Sequence, residues 1–332
     1  VCRQLDGLLY GTVATNLNRC VDFETLSASF TEHGIAHMPV KGYYLRKLYP
    51  TPELRTFGDI DLLIHPEDRQ KVHNLMLSLG YTVKQDWEPT YSYIKDAEYY
   101  EIHTNLMDGN LDGRTDLQAY FDAAWAHAEP DDGLRFRPED DFHFIYTVCH
   151  LAKHLYGGGA GLRMYLDVAL YVMHKDDSLH WQAIAGEFVA LHLAEFFYTV
   201  MNACRVWFGT KTICPLPEPD TEALDRLLSY TLDSDLFGHS RDHAVIELRN
   251  EKDEAPSRSR VLRKMLFPPA AEIESRYTFL RNRHWLLPLA WFVRLFANLR
   301  LIPSRICQMK QVTKTDKASV ETYDGFMRRI GL

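Results

Sequence analysis

The sequence predicts an α/β (α+β) protein. A small mixed sheet with flanking helices is expected over 1–130, followed by a mainly helical domain over 131–332. Three observations support this. Short runs rich in Tyr, Ile and Val alternate with segments of helical period through about residue 125. After Pro130-Asp131-Asp132-Gly133 the apolar residues recur at three and four, and turn signals become sparse. Within the first part, Gly58-Asp59-Ile60-Asp61-Leu62-Leu63-Ile64 is a short apolar run with two carboxylates two residues apart. In a strand such residues share one face.

In chain order, Val1 to Gly34 has apolar residues at helical spacing, with Gly34 as the C-terminal cap. Ile35 to Val40 predicts a strand, followed by Lys41-Gly42 and a helix over Tyr43 to Tyr49 that Pro50 and Pro52 end. The Asp59–Ile64 strand comes next. Pro66-Glu67-Asp68 then opens a helix, with proline in the first turn and acids at its positive end, and Gly80 closes it. Tyr81 to Lys84, Tyr91 to Lys95 and Tyr99 to Thr104 predict three further strands. From Asp140 to Phe208 the pattern is helical, broken by Gly157-Gly158-Gly159-Ala160-Gly161. A loop is expected around Pro215 to Pro219, and an exposed charged stretch from Asn250 to Arg260.

At 332 residues the chain can bury a substantial core, and its 46% hydrophobic and 25% charged residues are ordinary for a globular protein. A net charge of −8 argues against a general nucleic-acid coat. Six scattered cysteines without a C-x-x-C pair fit free thiols in a reducing cytoplasm better than disulfides or a zinc knuckle. The N-terminus has no leader pattern, and opening on Val rather than Met suggests a trimmed chain. Trp285 to Leu301 is shorter than the roughly 20 apolar residues of a membrane span and contains Pro288, Arg294 and Arg300, so a buried or amphipathic helix is expected.

Asp59 and Asp61 aimed at one point repel unless a cation sits between them, and Mg²⁺ commonly uses one or two carboxylates plus substrate phosphates. This points to phosphoryl or nucleotidyl transfer. Glu101, mid-strand with Tyr99 and His103 on its own face, is a candidate third carboxylate, as metal ligand or as proton acceptor from an attacking hydroxyl. Lys41 and Gly42, at a strand end before a helix, suit a triphosphate, and Arg55 could fork onto the same phosphates.

Pro39-Val40-Lys41-Gly42, Arg55-x-x-Gly58-Asp59-Ile60-Asp61-Leu62-Leu63 and Glu101-Ile102-His103 together resemble the uncharacterised bacterial nucleotidyltransferase-like proteins of the polymerase-beta-type nucleotidyltransferase superfamily. His150-Leu151-x-Lys153-His154, Arg163 and Asp167 are similar to that family's helical segment, and Leu286 to Arg294 to its C-terminal signature. The resemblance implies a nucleotidyltransferase fold, Asp59, Asp61 and Glu101 as ligands of Mg²⁺ (or Mn²⁺), and an NTP donor. It also implies an enzyme that passes a nucleoside monophosphate to a hydroxyl acceptor, using two metals about 3.5–4 Å apart. The acceptor could be a small molecule, peptide, protein or RNA. One departure is that Gly42-Tyr43, after Lys41, stands where the superfamily usually has Gly-Ser. That leaves room for kinase-like phosphotransfer with the same metals. A non-catalytic, antitoxin-like or regulatory binding module is the other alternative, and a complete carboxylate set argues against it.

Lys153, His154, Arg163 and Asp167 are expected to touch nucleotide or acceptor, with an Arg163–Asp167 salt bridge, four apart on one helix, as the alternative. His150 and His154 are half of a zinc-type pair, but no Glu follows His150 and no third ligand is near in sequence. The Gly157–Gly161 run is no P-loop, since no Gly-Lys-Ser/Thr follows. Trp285, Trp291, Phe292 and Phe296 are expected in the core. The competing reading is an anion-binding surface with Arg281, Arg283, Arg294 and Arg300.

Overall fold

A long helix α1 (Cys2–Glu32) leads into the sheet. Its end is set by Gly34, whose φ of 63° lets the Ile35 amide turn back onto the Phe30 carbonyl at 2.9 Å. The structure is a computed structural model that describes residues 2–56, 58–107, 109, 111, 116–233, 245, 248, 258–274, 276–280, 283–297, 312–313, 315 and 317–332. These residues fall into two compact units. The first comprises 1–151 with 163–218, and the second 152–162 with 219–332.

The first unit is built on seven strands: β1 (His37–Pro39), β2 (Ile60–Ile64), β3 (Thr82–Trp87), β4 (Thr90–Lys95), β5 (Glu98–His103), β6 (Ala128–Asp132) and β7 (Arg135–Pro138). Their spatial order is β3-β4-β5-β2-β1-β7-β6. The β2–β5 and β1–β7 pairs are parallel and the others antiparallel, so the sheet is mixed as expected. A one-turn helix α2 (Gly42–Leu45) follows β1, and α3 (Arg69–Ser78) joins β2 to β3. The short α4 (Leu117–Phe121) precedes β6, and α5 (Asp140–Gly157), α6 (Leu162–Lys175), α7 (Trp181–Ala190) and α8 (Ala194–Phe208) follow the sheet.

Three expectations change. The helix over Tyr43 to Tyr49 is one α-helical turn followed by a 3₁₀ turn over Arg46–Leu48. The strand expected from Asp59 begins at Ile60, leaving Asp59 just before it. Pro130-Asp131-Asp132-Gly133 belongs to a hairpin, β6 and β7, rather than ending the sheet. That hairpin is short, polar and proline-bearing, as sheet-edge strands are, and so lacks an apolar alternation to read.

The pleat sorts β2 and β5 into two faces. Ile60, Leu62, Ile64, Tyr100 and Ile102 join Phe23, Leu26 and Phe30 of α1 and Val72, Leu75 and Met76 of α3 in one buried cluster. Asp61, Glu101 and His103 occupy the alternate positions. A second core lies among α5–α8, where Phe188 stacks on Phe197 at 4.6 Å and Phe144 meets Trp181 edge-on at 5.3 Å.

The second unit contains α9 (Thr221–Asp233), α10 (Arg258–Leu266), α11 (Ala270–Ile273), α12 (Leu287–Ala297) and α13 (Lys317–Arg329). Trp291 packs, partly buried, on Ile273, Tyr277, Leu280 and Ala290. Trp285, Phe292 and Phe296 are 77%, 61% and 54% exposed, so the expected core role holds for Trp291 alone of the four. For Phe292 and Phe296 the reason is periodicity, because α12 turns only one stripe toward that cluster, while Trp285 lies in the 3₁₀ turn before the helix. Arg281, Arg300 and most of the Asn250–Arg260 stretch lie outside the described residues. Among the described residues no helix is long and apolar enough to cross a membrane, and Cys20, Cys149, Cys204 and Cys214 are free thiols.

Candidate active site

The parallel pairing of β2 with β5 sets Asp61 opposite Glu101 and Leu63 opposite His103. Because the three polar residues share a face, one ligand atom from each of Asp61, Glu101 and His103 lies within 4.8 Å of the others. Asp61 is 4% exposed. Its Oδ1 accepts from Lys41 Nζ at 2.7 Å and faces His103 Nε2 at 3.0 Å. The other ring nitrogen of His103 lies 3.1 Å from Thr90 Oγ1. That hydroxyl can donate to Nδ1, which leaves the Nε2 proton for Asp61. Glu101 is more open, accepts from the Tyr99 hydroxyl at 3.2 Å, and lies 3.8 Å from His103 Nε2.

Burial alone would raise the Asp61 carboxyl. The Lys41 ammonium and the His103 hydrogen bond reverse this and hold it well below the usual carboxylate range. Asp59, half-buried, lacks such a partner. Burial and then the Asp61 charge push it up to about 6, against a smaller opposing effect from Lys41. Lys41 is likewise opposed by burial, yet the Asp61 carboxylate holds its ammonium well above the ordinary lysine value. The donor set fits a hard divalent cation: clustered carboxylate oxygens, one carboxyl that resists ionising beside another, and the Lys41 ammonium beside Asp61.

Lys41 is held in place by its backbone. Its φ of 49° and ψ of −117° are unusual for a residue with a side chain. Its carbonyl caps the next turn, accepting from Leu45 N at 2.9 Å, while Val40 N donates to the Asp61 carbonyl at 3.0 Å. Tyr146 of α5 comes to the same place. It is 1% exposed, and its hydroxyl has no hydrogen-bond partner. Burial pushes that hydroxyl up, and the nearby charges of Lys41, Asp61 and Glu101 act on it.

Of the remaining expected residues, Arg55, Asp167 and Arg163 come together, within reach of the Asp61 and Asp59 charges. Arg55 and Asp167 are 4% and 3% exposed and form a bidentate pair, Nε to Oδ1 at 2.8 Å and Nη2 to Oδ2 at 2.7 Å. The Tyr49 hydroxyl also donates to Asp167 at 2.8 Å. Asp167 thus takes Arg55 across the fold rather than Arg163 along its helix, and Arg163 donates to the Thr56 carbonyl. Of the Arg55 donors, Nη1 is buried without a partner. Gly42 is buried in the first turn of α2. Lys153 and His154 lie near the end of α5 in the stretch belonging to the second unit. The Gly157–Gly161 run begins as that helix's C-terminus, where the Gly158 and Gly159 amides donate to the His154 carbonyl at 3.0 and 2.8 Å.

Sequence reasoning put His103 on the right face but gave it no task, and passed over Tyr146. The signal for His103 was its place two residues after Glu101. Tyr146, on a separate helix, gives no local signal.

The comparison with curated proteins gives no match. A solved structure described as "Solution Structure of Antibiotic-Resistance Factor ANT(2'')-Ia Reveals Substrate-Regulated Conformation Dynamics" is 13% identical to the chain. The match covers 59% of this chain and 100% of that one, with a TM-score of 0.36, a likeness that carries no argument. The family described as "uncharacterised nucleotidyltransferase" matches residues 1–209, which include every residue of the Asp61 cluster. The chain belongs to that uncharacterised nucleotidyltransferase family.

Proposed function

We propose that the protein is a Mg²⁺-dependent nucleotidyltransferase that moves a nucleoside monophosphate from an NTP to a hydroxyl acceptor. The observation that carries this is Asp61 opposite Glu101 on the polar face of β2 and β5, with the Lys41 ammonium 2.7 Å from Asp61. Asp59, Asp61 and Glu101 would hold the cation, with His103 keeping Asp61 oriented. When bound, a divalent cation supplies charge neutralisation at the triphosphate and acidifies an acceptor hydroxyl.

In the proposed reaction the acceptor oxygen bonds to the α-phosphorus and the bond to pyrophosphate breaks. The hydroxyl proton passes to Glu101, the most open of the clustered groups. Lys41 offsets charge growing on the leaving pyrophosphate. Tyr146 stays protonated and donates. The unpartnered Nη1 of Arg55 is the donor left on that side chain for a phosphate oxygen. Gly42, Arg163 and Asp167 would complete the nucleotide contacts, Asp167 by fixing Arg55. On this reading residues 1–130 carry the chemistry apart from Tyr146, 131–332 help to select the acceptor, and free thiols suit a reducing cytoplasm.

The test is parallel incubation with Mg²⁺, a lysate and α- or γ-labelled NTPs. Label carried from the α-position supports the proposal, and label carried only from the γ-position replaces it with a kinase. Asp61→Asn should abolish transfer with an unchanged circular dichroism spectrum; full activity in that variant would refute the site.

A further inference from the structure

A cavity of about 230 Å³ lies in the first unit, walled by α2, the 3₁₀ turn after it, β6, β7, α5 and α6. Most polar groups on its wall are satisfied within the protein. Asp131 accepts from Arg135 Nε at 2.8 Å and from the Tyr44 hydroxyl at 3.0 Å. Asp140 pairs with Lys175 at 3.0 Å, its carbonyl takes the Tyr171 hydroxyl at 3.0 Å, and Arg137 pairs with Glu129.

Two groups are left over. Lys47, an exposed residue at the rim, forms no ion pair among the described residues, although Asp131 and Glu24 are close enough to act on its charge, and its ammonium lies 5.2 and 4.9 Å from the Tyr43 and Tyr44 ring centres. His143 is 4% exposed, and its Nε2 is buried with no hydrogen-bond partner. An unmet buried polar group in a cavity wall needs a reason, and a ligand is one. The rest of the wall is aromatic or aliphatic: Tyr44 and Tyr171 lie edge-on to the His143 ring at 6.3 and 5.6 Å, beside Leu45, Leu48 and Pro138.

The position is also informative. His143 and Tyr146 are three apart on α5, so they share a face one turn apart. Tyr146 is the residue beside Lys41 and Asp61, and Tyr44 and Leu45 are on the helix turn that Lys41 begins. The cavity and the carboxylate cluster therefore share α5 and the turn after Lys41, though no wall residue.

We propose that this cavity is the acceptor pocket, and that it takes a small hydroxyl-bearing organic acid with an apolar or aromatic body. The carboxylate pairs with Lys47, the ring of His143 meets a polar group of the ligand, and the body lies among Tyr44, Tyr171 and the leucines. The ligand class follows from the wall itself; the role as acceptor rests on the nucleotidyl-transfer reading above.

The test is calorimetric binding of benzoate to the full chain, with benzamide as the uncharged counterpart of the same shape. Benzoate should bind the wild type and Asp61→Asn alike, benzamide at least tenfold more weakly. Lys47→Met should weaken benzoate at least tenfold, and Lys47→Arg should retain it. Lack of benzoate binding to the wild type, equal binding of benzamide, or unchanged binding to Lys47→Met would each overturn the pocket. Benzoate binding with this pattern, alongside no transfer of α-label to any acceptor, would uphold the pocket and remove the nucleotidyl reading instead.

Discussion

Replacing Lys41 by Met removes the only lysine or arginine ion-paired with Asp61 among the described residues. The two charged atoms are 2.7 Å apart, and the side chains are 19% and 5% exposed. At an effective dielectric of 20 the raw attraction at that distance is about 6 kcal/mol. Much of it repays desolvation, and breaking a buried pair by deleting one partner costs about 3–5 kcal/mol in practice. The expected loss sits at or below the low end, about 2–3 kcal/mol, because His103 Nε2 remains 3.0 Å from the same oxygen and Lys41 is not fully buried. At about 2–4 °C per kcal/mol, that is a fall of about 4–12 °C in Tm.

The informative part is the response to metal. In the wild type an arriving cation competes with the Lys41 ammonium for Asp61, whereas in Lys41→Met it meets an unpaired carboxylate. A cation at about 100 times its Kd adds about 2.7 kcal/mol of stability. Mn²⁺ should therefore recover most of the variant's loss and shift the wild type less. The assay is thermal unfolding of both proteins in chelator and in a Mn²⁺ series. Equal stability in chelator, or equal shifts with Mn²⁺, would show that Lys41 is not the counter-ion of Asp61.

Three further outcomes are expected. Arg55→Leu and Asp167→Leu should each cost about 3–5 kcal/mol, since each strands a buried charge, while the double variant should lose less than the sum; additive losses in urea unfolding would contradict the pairing. His103→Gln should weaken Mn²⁺ binding by about 10–100-fold with the fold intact, as loss of a residue that orients a ligand does, and unaltered binding by electron paramagnetic resonance would refute that role. His37 is fully buried between Ser27 Oγ and the Ile35 carbonyl, and burial brings it down to about 4. The unfolded chain then takes the proton first, so stability is retained above the ordinary histidine value of about 6.5 and declines as pH falls from there toward 4, by about 3 kcal/mol. His37→Gln should flatten that decline in a pH series of denaturant midpoints, and an unchanged slope would assign it to other groups.

How much of this was legible in the sequence follows from the range of each interaction. Asp61 and Glu101 could be read because a period of two is local, and so could the apolar backing of Ile60, Leu62 and Ile102. The Arg55–Asp167 pair joins residues 112 apart, and nothing in either neighbourhood marks the other. The pairing of Lys41 with Asp61, 20 residues on, depends on where two strands meet, so it leaves no local mark. The edge strand β6 escapes detection through the same polar and proline residues that protect an edge, and β7 beside it is only four residues long. Phe292 and Phe296 are exposed because hydrophobicity says what a side chain prefers, not which stripe of its helix finds a neighbour.

The β2–β5 pairing also has a consequence for when the site exists. Asp61 and Glu101 are Cα partners on parallel strands, with α3, β3 and β4 between them in the chain. Neither a hairpin nor a helix brings them together, so no local fragment of the chain carries the complete cluster: β5 alone holds Glu101 and His103 but not Asp61. A slip of one residue in that pairing would send Glu101 to the apolar face. The chemistry is thus tied to the closure of the sheet's centre and should fade with the slowest-exchanging amides of β2 and β5, not with the fraying of any outer element.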